Sequence, residues 1–268
     1  MLFFIPKISR IFLFFTLSLI VVACSDYNKI LKGDDIQLKF EEAQRLYKSK
    51  KYDRCIVLFE QVYQNAPRTE QGELSFFLMA KSYMEDKNYY MAGYFFGAFV
   101  QRFPYSVRNE EAFFLTAMSN VRNSPKWSLD QTETYAAIDA VQAFMTKYPD
   151  SPLLDSCNTL IDQLSYKIEF KEYNKVLQYD KTQNFKAATT SADIFLSTYP
   201  LSVHAEEIRY IGVRNLYQLA VNSIDSKKKE RIEETIQRYR NFVADFKDSP
   251  YAASLKSLLK PLEKEYEL

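Results

Sequence analysis

Few side chains in this sequence are equipped for covalent or acid–base chemistry. Cys24, Cys55 and Cys157 are the thiols, and His204 is the single imidazole among 268 residues. One imidazole excludes a His-rich metal site, and five glycines leave no Gly-rich phosphate-binding loop. Around His204 no Ser or Cys stands in a recognisable nucleophile order, so the residue reads as a surface or helix-cap group. Lysine and arginine number 35 against 34 aspartate and glutamate, a formal net charge of +1. That balance gives no electrostatic drive toward nucleic acid, which shows as a basic domain. With 47% hydrophobic residues the chain can build a core, and its composition points to binding and scaffolding.

Cys24 is the thiol whose surroundings specify a reaction. Lys7 and Arg10 precede an apolar run from Ile11 to Val22, too short to span a bilayer as a helix but suited to a secretory signal. The run ends in Val21-Val22-Ala23-Cys24, which resembles the bacterial lipobox, where the Cys thiol is lipidated and becomes the new N-terminus. The resemblance implies a signal peptide over 1–23, a covalent lipid on Cys24 and a linker over 24–35. An ordinary signal peptide with a chance Cys is the alternative. Ser25 follows the Cys, where an Asp would resemble an inner-membrane retention signal, so outer-membrane delivery is expected.

The elements that position everything else come from repetition. FVQRFPYS at 99–106, FMTKYPDS at 144–151 and FLSTYPLS at 195–202 share one pattern, flanked by weaker copies VYQNAPRT at 62–69 and FVADFKDS at 242–249. Anchored on Pro67, Pro104, Pro149, Pro200 and Lys247, the intervals are 37, 45, 51 and 47 residues. Twelve positions before each anchor stand Cys55, Ala92, Ala137, Ala188 and Thr235, all small; five before are Val62, Phe99, Phe144, Phe195 and Phe242. These offsets fall on one stripe of a helix, which the anchor proline ends. Thr69, Ser106, Ser151, Ser202 and Ser249 lie two positions past the anchors and are expected to cap the next helices.

Each copy thus reads as helix, turn, helix. The pattern resembles the tetratricopeptide repeat, whose unit has the same small and aromatic positions. The implied fold is all-α, a right-handed superhelix (α-solenoid) of five hairpins plus a C-terminal capping helix. Repeats fall at about 36–69, 70–106, 107–151, 152–202 and 203–249, with the cap at 250–266, all within a domain of 36–268. Excess length is assigned to a loop at Asn123–Asp130, a longer helix between Pro152 and Tyr179, and a loop at Ser223–Glu230. Cys55 fills a small packing slot, and two intervening copies argue against its pairing with Cys157.

Stacked hairpins expose an extended face lined by their first helices. Phe40, Phe77 and Phe114 recur at equal spacing there, with Tyr47, Met84 and Val121 seven residues after each. One reading is a groove for an apolar or aromatic peptide end, with Phe40, Tyr47, Phe77, Met84 and Phe114 as binding residues. The other is packing between helices. Lys227-Lys228-Lys229 with Arg231 reads as a solvated loop or an acidic-partner contact, and Trp127 as an anchor for its loop or for a partner.

The lipobox, the five copies with their YP-x-S or FP-x-S junctions, and Ser128-Leu129-Asp130-Gln131 before the third copy's second helix together resemble the BamD family, lipoprotein subunits of the outer-membrane β-barrel assembly machine. The resemblance implies a non-enzymatic scaffold without a cofactor, on the periplasmic face of the outer membrane and anchored through Cys24. Its implied partners are the C-termini of unfolded outer-membrane proteins and the periplasmic domains of the barrel-assembly subunit, with no nucleic acid. A tetratricopeptide lipoprotein of pilus or cell-wall assembly and a glycan-capture lipoprotein are the competing expectations.

Overall fold

The computed structural model describes residues 26–265, with side chains through Leu262. Cys24 and the signal segment lie outside the described residues. Among those described, the regular elements are α-helices: α1 (26–32), α2 (Ile36–Lys48), α3 (Tyr52–Asn65), α4 (Glu70–Glu85), α5 (Tyr89–Arg102), α6 (Asn109–Asn123), α7 (Thr132–Lys147), α8 (Leu154–Lys181), α9 (Phe185–Thr198), α10 (Ala205–Val221), α11 (Asp225–Asp245) and α12 (Pro250–Glu265). From α2 to α11 they pair as five hairpins, α8 meeting α9 through Val176 and Phe195, and α12 packs on α10 and α11. The chain divides into two compact units, one running to Ser124 and resuming over Thr132–Ile161, the other comprising Pro125–Gln131 and the chain from Asp162.

The small-residue slot explains how neighbouring helices approach. Cys55, Ala92, Ala137, Ala188 and Thr235 are all fully buried, so a larger side chain at any of them would push against a neighbour. Val62, Phe99, Phe144, Phe195 and Phe242 fill the core beside them. Each buried phenylalanine contributes about 1.5–3 kcal/mol of apolar burial. In the first unit this core gathers Phe59, Phe76, Phe96 and Phe99, and a second cluster forms around Val141, Phe144 and Cys157. In the second unit Val176, Phe195 and Ile208 form one cluster, while Ile232, Ile236 and Phe242 join Leu255 and Leu259 of α12 in another.

Three of the five hairpin turns also repeat. Lys50, Lys87 and Gln183 adopt left-handed φ of 58°, 63° and 56°. The following N–H groups of Lys51, Asn88 and Asn184 donate back to Leu46, Tyr83 and Tyr179 carbonyls, each at 2.9 Å. This backbone closure satisfies otherwise orphaned carbonyls of the first helices. Asn88 and Asn184 then accept from the N–H groups of Met91 and Ala187, starting the second helices. At the other end, Phe103, Tyr199 and Phe246 leave the helix with nearly the same φ, although Lys247 replaces proline after Phe246.

Two expectations need correction. Of the five hydroxyl residues, Thr69 caps α4 by accepting from Gly72 N–H at 3.1 Å. Ser249 stands immediately before α12 and caps it by accepting from Tyr251 N–H at 3.1 Å, whereas Ser106, Ser151 and Ser202 accept from the N–H two residues on, closing a short turn before the helix starts. Ser106, Ser151 and Ser202 also donate to Glu73, Glu110 and Glu169, at 2.6, 2.7 and 2.6 Å. These carboxylates sit on the preceding hairpin's first helix, so the hydroxyls tie one first helix to the start of the next. The second correction concerns Ser223–Glu230, which is mostly helix. Ile224 is extended and α11 begins at Asp225, so the extra residues lengthen that helix to 21 and place Lys227-Lys228-Lys229 in its first turns. Asp225 supplies the negative charge that helix N-termini favour, offsetting the lysines behind it. The other additions lie at residues 124–131, which form turns, and in the 28-residue α8.

Candidate binding surfaces

The recurring row on the first helices belongs to the core. Phe77 is 4% exposed and meets Phe96 and Phe99 edge-on, at 5.7 and 5.3 Å. Phe40 packs edge-on against Phe59 at 6.4 Å, and Phe114 against Phe144 at 5.3 Å. Tyr47 leans on Tyr52 at 5.8 Å, and burial pushes its phenol above the usual tyrosine range. Met84 is half-buried against the same cluster, and Val121 against the Phe144 cluster. The expected groove residues therefore hold each first helix to its own second helix, and the packing alternative is the one this geometry supports.

A second row lies one residue further round. Leu74 and Leu78 on α4, with Leu115 and Met118 on α6, are half-buried, and Leu78 and Leu115 pack against the first unit's core as Phe40 and Met84 do. Lys81 reaches Glu111 at 3.1 Å, which shows that these faces of α4 and α6 lie side by side. On the preceding helix, Gln37 accepts from the Gln71 amide at 2.9 Å and continues the row. Leu38 is 45% exposed, with no hairpin before α2 among the described residues; the equivalent Ser75 and Ala112 are covered. The sequence carries this signal as a second row, displaced by one residue from the aromatic one and interrupted by charge.

The second unit contributes a different surface. Gln131 is buried and its amide donates to the carbonyls of Lys126, Trp127 and Leu129, at 2.9, 3.3 and 3.0 Å, which fixes the inserted loop. Lys171 Nζ donates to Leu129 O at 2.6 Å, and Trp127 stands edge-on to Phe170 at 5.2 Å. Trp127 thus anchors its loop to α8. Beside it runs a groove of about 830 Å³ bounded by Trp127, Lys171, Lys175, Gln178 and Lys181. Lys175 pairs with Glu172 at 2.8 Å, so part of its charge is already answered.

His204 precedes α10 without a side-chain cap bond, as a residue stacked on Tyr173 at 4.0 Å between ring centres. The Tyr173 hydroxyl donates to Glu207 at 2.8 Å. Burial first, and then this carboxylate, push the Tyr173 phenol up to about 12, so it remains a donor at neutral pH. Cys55 and Cys157 are free and buried, and desolvation raises both thiols above their ordinary range. Cys55 Sγ lies 3.2 Å from Ser82 Oγ, as a small packing residue with a weak polar contact. Among the described residues no group of His, Cys, Asp and Glu could hold a metal ion, and no helix is long and apolar enough to cross a membrane.

Comparisons with known proteins extend through both units. The chain is 24% identical over 250 residues to the putative outer membrane protein assembly factor BamD of Aquifex aeolicus, covering 92% of this chain and 81% of that one. It is 23% identical over 190 residues to the outer membrane protein assembly factor BamD of Rickettsia prowazekii, covering 71% and 75%. A thermophilic TPR protein of Thermus thermophilus, of known structure, matches 84% of this chain and 98% of its own at 13% identity and a TM-score of 0.32. The profile of the family described as YfiO, outer membrane lipoprotein, matches residues 34–188 and 165–266, which takes in all five hairpins and the closing helix. The chain belongs to the YfiO family of outer membrane lipoproteins.

Proposed function

We propose that this protein is a non-enzymatic scaffold for the assembly of β-barrel proteins into the outer membrane, held at the periplasmic face by a covalent lipid on Cys24. The observation that carries the reading is the family match along all five hairpins, together with relatives named as outer membrane protein assembly factors. In the first unit, the half-buried row of Leu74, Leu78, Leu115 and Met118 runs beside the Lys81–Glu111 ion pair. That row is the proposed seat of an extended, aromatic-ended strand from an unfolded client protein. The second unit, around α10 and α11, is the side proposed to hold the periplasmic domains of the barrel-forming subunit.

Site-specific photocrosslinking in cells tests this division of labour. A photoreactive residue at Leu78 is expected to capture newly made outer-membrane proteins, and one on an exposed position of α11 the barrel-assembly subunit. Capture of a secretin or of peptidoglycan enzymes at both positions would overturn the assignment in favour of pilus or cell-wall assembly.

A further inference from the structure

The turn between α2 and α3 concentrates lysines. Lys48, Lys50 and Lys51 are all exposed, within four residues. None of the three forms a salt bridge among the described residues, unlike Arg45, which is paired with Glu42 at 2.6 Å. Lys50 holds a left-handed φ of 58°, a conformation where glycine is the unstrained residue. Lys87 and Gln183 share this φ at the equivalent turns, so it is a property of the turn and not of the lysine.

Helix α1 brings the start of the described chain to the same place. Tyr27 donates its hydroxyl to the Arg54 carbonyl at 3.3 Å, and the Arg54 guanidinium lies over the Tyr27 ring at 5.2 Å. Tyr27, Ile30 and Leu31 pack into the first unit's core, which leaves Lys29 and Lys32 on the exposed side of α1. Arg54 lies three residues beyond Lys51, at the opening of α3. Asp26, two residues after Cys24, is therefore held at the end of the first hairpin that bears the lysine turn. Two residues span at most about 7 Å of extended chain. A lipid on Cys24 would keep this end of the hairpin close to the bilayer surface.

We infer that the turn at Lys48, Lys50 and Lys51, with Lys29 and Lys32 of α1, docks on anionic lipid headgroups and fixes how the anchored protein meets the membrane. This deepens the anchored-scaffold reading and rests on it. Lysines near an anionic surface each strengthen attachment about fivefold, and the effect is screened by salt. Nearby acidic side chains are Asp26, Asp34, Asp35 and Asp53, with Glu85 and Asp86 on the next turn.

The test uses the lipidated protein in vesicles with a fluorophore at Ser49→Cys or at Asp26→Cys, Cys55 and Cys157 being buried. Quenching by a headgroup-labelled lipid is read in phosphatidylcholine vesicles and in vesicles with about a third phosphatidylglycerol. The label at 49 should be quenched at least twofold more in the anionic vesicles, and the difference should vanish in 0.5 M salt or with Lys48→Glu, Lys50→Glu and Lys51→Glu combined. The same reversal at Lys227, Lys228 and Lys229, in the other unit, should leave it intact. Quenching at 26 with none at 49 in either lipid would overturn the docking while leaving the anchor standing. Absence of quenching at both positions would overturn the anchor and the docking together.

Discussion

Gly72 is the residue whose side chain matters most by its absence. A Cβ there would lie 1.9 Å from the Ala66 carbonyl oxygen, where the chain leaves α3 and enters α4. A contact that short cannot be relieved by a side-chain rotation, because the opposing atom is backbone. Gly72→Ala should therefore destabilise the protein by about 1–3 kcal/mol despite alanine's better helix propensity. Gly97→Ala is the matched comparison. Its Cβ would meet Thr116 Cγ2 at an ordinary 3.8 Å, so propensity alone should leave stability unchanged or up to about 1 kcal/mol higher. Urea unfolding of the pair checks both, and equal effects would contradict the packing described. Tyr173 makes a second prediction at this scale. Its folded phenol titrates at about 12 against an ordinary 10.0, so the folded state holds the proton more tightly. The stabilisation is fully present below about 10 and is lost as pH rises toward 12, as linkage requires. Alkaline unfolding should thus show a component over that interval that Tyr173→Phe removes.

Between hairpins, the serine–glutamate ties carry the prediction. Ser202 donates to Glu169 at 2.6 Å across two first helices, and Ser106 to Glu73 in the same way. Hydrogen bonds to charged groups contribute about 1.5–3 kcal/mol, less where solvent reaches them. Ser202→Ala and Glu169→Gln should each cost about 1 kcal/mol or more, and the double variant should cost less than their sum. Additive losses in chemical denaturation would mean that the two groups do not interact. The ties also mark how far sequence can be read. The small slots and the stripe above each proline are legible because helical periodicity and packing volume act within one hairpin. The role of Ser106, Ser151 and Ser202 is not, because the same hydroxyl can cap a helix or close a turn, and the choice depends on a glutamate 33 to 41 residues away. Phe77 belongs to the core and not to a groove for a related reason: equal spacing identifies a shared face without saying what covers it. Lys227-Lys228-Lys229 disfavours a helix N-terminus, yet Asp225 and the packing of Ile232 and Ile236 hold α11 together there.

At the scale of the molecule, the chain reads as a surface for other proteins. The described residues offer buried thiols, an imidazole stacked on a tyrosine, and grooves open at the helix faces, an arrangement suited to holding partners. Membership of an outer membrane lipoprotein family, with relatives named as assembly factors, gives that surface its proposed purpose. The end of the first hairpin at Lys50 and Tyr27 is the proposed membrane side, and the leucine row on α4 and α6 the proposed client side. Depleting the protein from cells and following folded β-barrel proteins in the outer membrane, by their resistance to unfolding in cold detergent, tests the central claim most directly. The account predicts that folded barrels fall and unfolded precursors accumulate while inner-membrane proteins hold steady; undiminished folded barrels after full depletion would contradict it.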